Sequence, residues 1–185
     1  MRETVTPFPS YDQYTTEQLL DAYRAAPARI RVTLAGLSLD ELRQHPRPGK
    51  WSILEIAVHV TDSELIGAGR IRLATAQPGA AFVGYDQERW AEALGYQQYG
   101  SEELNVVLDL FKRLRQTSYR LFAGTSGAEW VERGGIHPEY GTITLRNLLE
   151  LYADHGERHI GQILTLRELM ARPIELPLLL KDRLY

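Results

Sequence analysis

Four long stretches of this chain repeat apolar residues at intervals of three and four, the spacing that places side chains on one face of an α-helix. They span residues 15–37, 52–76, 101–122 and 144–170. No run of alternating residues between turn signals predicts a strand with comparable clarity. The pattern therefore predicts an all-α fold, a four-helix bundle with short extra helices in the connections.

The sequence also predicts where these helices begin and bend. Thr15 and Ser52 are each followed three residues later by Gln or Glu, the pattern of a capping box. Ser101 is the expected N-cap of the third helix. Pro27 lies inside the first stretch and lacks an amide donor, so it predicts a kink or a restart there. The glycine-rich connection 124–141 is expected to hold one helical turn and irregular structure.

Small residues and prolines shape the end of the chain. Gly156 and Gly161 lower helix propensity by roughly 1 kcal/mol each, and they predict the close approach of another helix. The apolar tail 173–185 contains two prolines. We expect it to pack on the bundle as an extended segment, where it could also support a dimer contact.

Cysteine is absent from the 185 residues, which excludes disulfides, thiolate metal sites and cysteine nucleophiles. The length suits a single domain over residues 1–185. A net charge of −3 with mixed signs argues against a dedicated nucleic-acid binder. The sequence shows neither a leader-like start nor an apolar run long enough to span a bilayer, so we expect a cytoplasmic protein that does not contact membranes.

Three histidines are predicted to point into the bundle. His155 and His159 are four residues apart at the margin of an apolar stripe, so they share one helix face. The pair alone fits a polar helix face equally well. His59 lies within the apolar run of the second helix, and a lone inward histidine is usually a hydrogen-bonded core residue. Three inward imidazoles in one bundle favour a metal site, because neutral imidazoles bind Zn²⁺ or Ni²⁺ and leave coordination positions open.

Three segments of the chain resemble the DinB/YfiT-like superfamily of metal-dependent enzymes. They are RPGKWSILEIAVHVTDSE, YDQERWAE and HPEYGTITLRNLLELYADHGERHIGQI. The second and third resemble the YfiT branch, which includes bacillithiol S-transferases, and the likeness covers about Ala26 to Met170. It implies a DinB-like bundle, frequent homodimerisation and one divalent metal, nickel or zinc. By position, it places the metal ligands at His59, His155 and His159.

Other polar residues near these histidines are candidates for supporting roles. Glu55 and Asp62 could accept the second ring proton of a metal ligand, although a solvated helix face is the simpler interpretation. Gln162 could line the pocket. Arg158 could pair with a substrate carboxylate or with an acidic residue one helical turn away. His137 could be a general base or a fourth ligand, but a surface histidine in a glycine-rich loop is the simpler interpretation.

The resemblance leaves the reaction open. The leading hypothesis is an enzyme that transfers a low-molecular-weight thiol, similar to bacillithiol, to an electrophilic small molecule at a three-histidine metal site. The first alternative is a hydrolase that uses metal-activated water. The second is a non-catalytic, stress-related bundle that keeps the metal for stability. A metal-free bundle with three satisfied core histidines is also compatible with the sequence.

Overall fold

The computed structural model describes residues 7–181, and four long helices form the bundle that the sequence predicts. The helices are α1 (Thr16–Leu34), α2 (Leu39–Leu42), α3 (Ile53–Ala76), α4 (Gln87–Ala93), α5 (Ser101–Ala123), α6 (Glu129–Glu132) and α7 (Leu145–Leu169), with a 3₁₀ turn at Tyr96–Gln98. Helices α1 and α3 each pack against both α5 and α7. None of the described helices is both long and apolar enough to cross a bilayer.

The helix starts follow the capping chemistry, with one correction. Thr15 and Ser52 form the predicted capping boxes. In each box the cap hydroxyl accepts the backbone amide of the residue three positions later, whose side chain accepts the backbone amide of the cap. The prediction of Ser101 as the cap of α5 was wrong by one residue. Gly100 is the N-cap because its extended backbone donates to the Glu103 carboxylate over 2.7 Å. Ser101 is already helical.

The first helix continues through Pro27, so the prediction of a restart there was wrong, while a kink stays a prediction. Proline at this position leaves the carbonyl of Tyr23, four residues earlier, without its helical donor. Nη1 of Arg115 donates to that carbonyl over 2.8 Å, while the guanidinium lies 4.2 Å from the centre of the Tyr23 ring. A side chain of α5 thus replaces the missing backbone bond. The sequence of α1 alone cannot reveal this compensation.

The prediction of irregular structure after α6 was wrong for part of the connection 124–141. Strands β2 (Gly134–His137) and β3 (Gly141–Thr144) form an antiparallel hairpin, and β1 (Ala80–Ala81) joins β2 in parallel. Gly134 lies so close to Ile143 that a Cβ would overlap its carbonyl, and Gly135 lies against the ring of Phe82. The glycines therefore permit close strand pairing in a segment that the sequence pattern predicted to be irregular.

Two apolar clusters fill the bundle, and the histidines lie where they meet. One cluster includes Ile56, Phe111 and Ile160. The other cluster is built from Ile71, Phe122, Ala153 and their neighbours. Along α7, both histidines lie between Ala153 of one cluster and Ile160 of the other. The packing of both clusters consequently fixes the positions of the two helices that carry the imidazoles.

Close helix contact and the chain end agree in part with prediction. A Cβ on Gly156 would lie 2.9 Å from the Ala26 Cβ, so this glycine permits the predicted approach of α1 to α7. At Gly161 a Cβ would make only an ordinary contact with Leu178, so no helix in the described part of the chain approaches there. The described part of the tail is extended, as predicted, and Leu179 donates its amide to the buried Glu157 carboxylate. Residues 182–185 lie outside the described range.

Candidate metal centre

The imidazoles of His59, His155 and His159 converge between α3 and α7. The Nε2 atom of His155 lies 3.2 Å from Nε2 of His59 and 3.1 Å from Nε2 of His159. One ligand atom from each ring lies within 4.8 Å of the other two. The predicted triad is therefore assembled, with His59 buried and the other two half-buried. This convergence requires the side-by-side packing of two helices that are about a hundred residues apart in sequence.

The indole of Trp51 packs against the imidazole of His59. The indole ring centre lies 4.7 Å from the imidazole centre, and Nε1 of Trp51 donates to Glu88 over 2.9 Å. The Nδ1 atom of His59 is buried and has no hydrogen-bond partner within residues 7–181. A buried polar atom without a partner costs free energy, and such atoms are few in native proteins.

The arrangement of ring protons fits a cation among the three Nε2 atoms. Nδ1 of His159 lies 3.0 Å from Oε1 of Gln162, and this acceptor assigns the ring proton to Nδ1. The Nε2 lone pair of His159 then faces the other two rings. Tetrahedral zinc with imidazole bonds of about 2.0–2.1 Å separates its nitrogen ligands by about 3.3 Å. The two separations from Nε2 of His155, 3.2 and 3.1 Å, are close to that value, so the three side chains fit a divalent ion.

Burial keeps these imidazoles in the form that binds metals. Burial, with a smaller contribution from Arg158, lowers the pKa of His59 to about 4. Burial also lowers the pKa of His155 well below its ordinary value, and its histidine neighbours act in the same direction. A protonated imidazole cannot ligate, so both rings are available as ligands at neutral pH.

A cavity of about 630 Å³ opens beside the histidines, and His155 and Arg158 form part of its wall. Its floor contains the buried residues Ser63, Arg70, His137 and Tyr152. The mouth is lined by exposed side chains, which include Asp86, Glu88 and Glu139. The volume suits a small-molecule ligand.

The residues proposed to support the ligands occupy different places. Glu55 accepts the Ser52 amide over 2.7 Å as part of the α3 cap. Asp62 accepts from the hydroxyl of Tyr96 over 2.6 Å. Of these candidates, Gln162 contacts a ligand imidazole, with its Oε1 atom 3.0 Å from Nδ1 of His159. A hydrogen-bonded acceptor of this kind orients a metal-binding histidine and fixes its tautomer.

The positions of Arg158 and His137 bear on the cavity. Nε of Arg158 lies 3.3 Å from a carboxylate oxygen of Asp154, the pairing across one helical turn that the sequence allowed. The interpretation of His137 as a surface residue was wrong, because strand pairing buries it on the cavity floor with 6% of its surface exposed. The three-histidine group does not include His137.

Several cavity residues were missed from the sequence. Arg70 lies seven residues after Ser63 and eleven after His59, so it continues the inward stripe of α3. That stripe was the available signal, but an arginine there also fits a solvated face. Tyr152 lies in the fourth helical stretch, and nothing in the sequence pattern there marks its hydroxyl as a cavity group. Its hydroxyl accepts from Nη1 of Arg70 over 3.1 Å, a contact that depends on the pairing of α3 with α7.

Comparison with known proteins identifies the family of this chain. The sequence profile of the DinB superfamily matches residues 22–163, a range that includes all three histidines. This chain belongs to the DinB superfamily. A protein of Oceanobacillus iheyensis, provisionally named a metal-dependent hydrolase, is 27% identical over 140 residues, which are 76% of this chain and 78% of that protein. A Bacillus cereus protein with the same provisional name is 27% identical over 163 residues, 86% of this chain and 91% of its own.

Two solved structures share the fold of this DinB superfamily member. YfiT from Bacillus subtilis, described as having an unusual four-helix bundle topology, matches with a TM-score of 0.77 at 24% identity and covers 92% of this chain and 93% of its own. The mycothiol-dependent maleylpyruvate isomerase matches with a TM-score of 0.64 at 14% identity, over 85% of this chain and 63% of its own. The predicted fold class and the resemblance to the DinB/YfiT-like superfamily are both confirmed.

Proposed function

We propose that this chain is a metal-dependent enzyme in which His59, His155 and His159 bind one divalent transition metal, zinc or nickel. The observation that carries the proposal is the convergence of three Nε2 atoms beside a cavity that His155 also lines. When bound, such an ion with open coordination positions lowers the pKa of a thiol or a water and so supplies a nucleophile at neutral pH.

The reaction that we propose is transfer of a low-molecular-weight thiol, similar to bacillithiol, to an electrophilic small molecule. The sulfur–carbon bond forms, the bond to the leaving group breaks with its electron pair, and the thiol proton goes to solvent. Two carboxyl groups close in sequence to His59 are engaged elsewhere, because Glu55 caps α3 and Asp62 bonds Tyr96. A thiol with a lowered pKa needs no general base to stay deprotonated.

Hydrolysis is the second candidate, and the provisional names of the Oceanobacillus and Bacillus relatives support it. The name of the mycothiol-dependent isomerase supports thiol chemistry in a related fold. Both reactions need the same three ligands and differ in the nucleophile that reaches the cavity. The nucleophile is therefore what an assay has to distinguish.

The test supplies zinc- or nickel-loaded protein with bacillithiol, mycothiol or glutathione and with monochlorobimane, which fluoresces when its chloride is replaced by a thiol. We expect a metal-dependent rate with at least one thiol, and loss of that rate in His159→Ala. His45→Ala is the matched control, since His45 is exposed and lies outside the three-histidine group.

The outcomes separate the alternatives. Absence of any metal-dependent rate with all three thiols would contradict thiol transfer. Metal-dependent cleavage of p-nitrophenyl esters under the same conditions would then favour the hydrolase. Protein that binds metal, gains thermal stability from it and accelerates neither reaction would support the non-catalytic bundle.

A further inference from the structure

The cavity floor contains a buried guanidinium that no carboxylate of the described residues neutralises. Arg70 is 7% exposed, and among the described residues its Nη1 and Nη2 donate only to the Tyr152 hydroxyl and the Val83 carbonyl. Its Nε atom is buried with no hydrogen-bond partner in residues 7–181. Burying a charge without a counter-charge is costly, so a buried cation of this kind indicates a ligand that compensates for it.

Another buried guanidinium shows the difference from a structural role. Arg115 is 2% exposed and pairs with the Glu64 carboxylate over 2.8 Å. Its two remaining nitrogens donate to the carbonyls of Tyr23 and Tyr152, so every nitrogen of Arg115 is satisfied by the fold itself. Arg70 has neither the carboxylate nor a full set of partners, and it lines a cavity of about 630 Å³.

The neighbouring histidine on the floor also offers a proton. Nδ1 of His137 accepts the backbone amides of Glu139 and Tyr140 over 3.2 and 3.4 Å. The proton of the neutral ring is therefore on Nε2, which is the nitrogen left to donate. Burial and the nearby Arg70 lower the pKa of His137 to about 4, so the ring is neutral at pH 7. Arg70 and His137 together present donors, which suit a ligand rich in acceptors.

The carboxylates that line the same cavity lie at its mouth. Asp86 and Glu88 are exposed, and they accept from the Arg89 amide and the Trp51 indole respectively. Glu139 is also exposed. Solvent and salt screen exposed charges far more than buried ones, so these groups do not cancel the attraction of a buried guanidinium for an anion.

We propose that this cavity binds small molecules through a carboxylate group held by Arg70 and by the Nε2 proton of His137. Eleven residues, about 16 Å along the axis of α3, separate Arg70 from His59. A bound molecule would extend from the carboxylate site toward His155, which lines the same cavity. Any reaction of the bound molecule beside His155 rests on the proposed function, whereas its binding through the carboxylate does not.

Benzoate and benzamide are matched probes for this site, since they share shape and differ in charge. Binding is measured by chemical-shift titration on zinc-loaded protein and on protein stripped with EDTA. Benzoate should bind both forms at least about tenfold more tightly than benzamide does, because charge-assisted hydrogen bonds are the stronger ones. Arg70→Gln should lose about tenfold or more in benzoate affinity. The exposed Arg72→Gln on the same helix is the matched control and should bind as wild type does.

Equal binding of benzoate and benzamide to wild-type protein overturns the proposal, as does unchanged benzoate affinity in folded Arg70→Gln. Benzoate binding that disappears on EDTA treatment also overturns it, because the anion then binds the metal. Should Arg70→Gln fail to fold, the wild-type comparison of the two probes in stripped protein decides. Zinc content is measured separately. Benzoate binding without zinc uptake supports this carboxylate site and contradicts the proposed function. Zinc uptake without benzoate binding contradicts this carboxylate site and leaves the proposed function standing.

Discussion

Replacing Gln162 by leucine tests how the chain orients His159. The substitution removes the acceptor that lies 3.0 Å from Nδ1 and keeps a side chain of similar size. Loss of such a partner typically lowers metal affinity ten- to a hundredfold, on the order of 1.4–2.7 kcal/mol. Because Gln162 is exposed, water can replace the lost acceptor. We therefore expect the smaller effect, about tenfold weaker zinc binding.

Competition with a chromophoric chelator measures that affinity in wild type and variants. Gln162→Glu keeps an acceptor and adds negative charge, so it should bind zinc at least as tightly as wild type does. Gln116→Leu makes the same change at an exposed position on α5 and should have no effect. Unchanged affinity in Gln162→Leu, or equal weakening in the leucine and glutamate variants, would refute the role assigned to this hydrogen bond.

Three further predictions concern stability, each measured by urea or thermal unfolding. Gly67→Ala places a methyl 2.5 Å from the Tyr152 ring and should cost about 1–3 kcal/mol. Gly69→Ala, where a Cβ would meet nothing within 4 Å, should stabilise α3 by a few tenths to about 1 kcal/mol. Equal effects of the two substitutions would contradict the packing of Gly67 on Tyr152. Glu64→Met leaves Arg115 buried without its partner and should cost about 3–5 kcal/mol, part of which returns in the double variant with Arg115→Met. In metal-free protein, burial lowers the pKa of His59 from 6.5 to about 4. Between those pH values the unfolded chain binds a proton that the folded protein does not bind, so stability should fall as pH drops through that range. The fall should be smaller in His59→Gln.

The sequence predicts the bundle well because the features that define each helix lie within one short stretch of the chain. Apolar spacing along each stretch defines the four long helices, and the cap residues Thr15 and Ser52 fix two of their starts. The same logic places His59 and the pair on α7 on inward faces. Convergence of the three rings then follows from the packing of α3 against α7, which the bundle supplies.

What the sequence leaves undetermined depends on contacts between distant elements. Arg115 satisfies the carbonyl that Pro27 leaves free, and His137, which pairs with Gly141 across the β2–β3 hairpin, is buried. The donor set of the cavity floor arises in the same way, since Arg70 reaches Tyr152 only in the assembled bundle. The assignment of one domain to residues 1–185 and the homodimer remain predictions.

The central claim is that three imidazoles from two helices form one metal site. It is tested most directly by elemental analysis of protein purified without a histidine tag, before and after incubation with zinc or nickel and removal of excess ion. We expect about one equivalent per chain, and less than about a tenth in His59→Ala and His155→Ala, because two imidazoles cannot hold the ion against exchange into buffer. Wild-type protein with less than about a tenth of an equivalent of any transition metal, and no uptake on addition, would contradict the account.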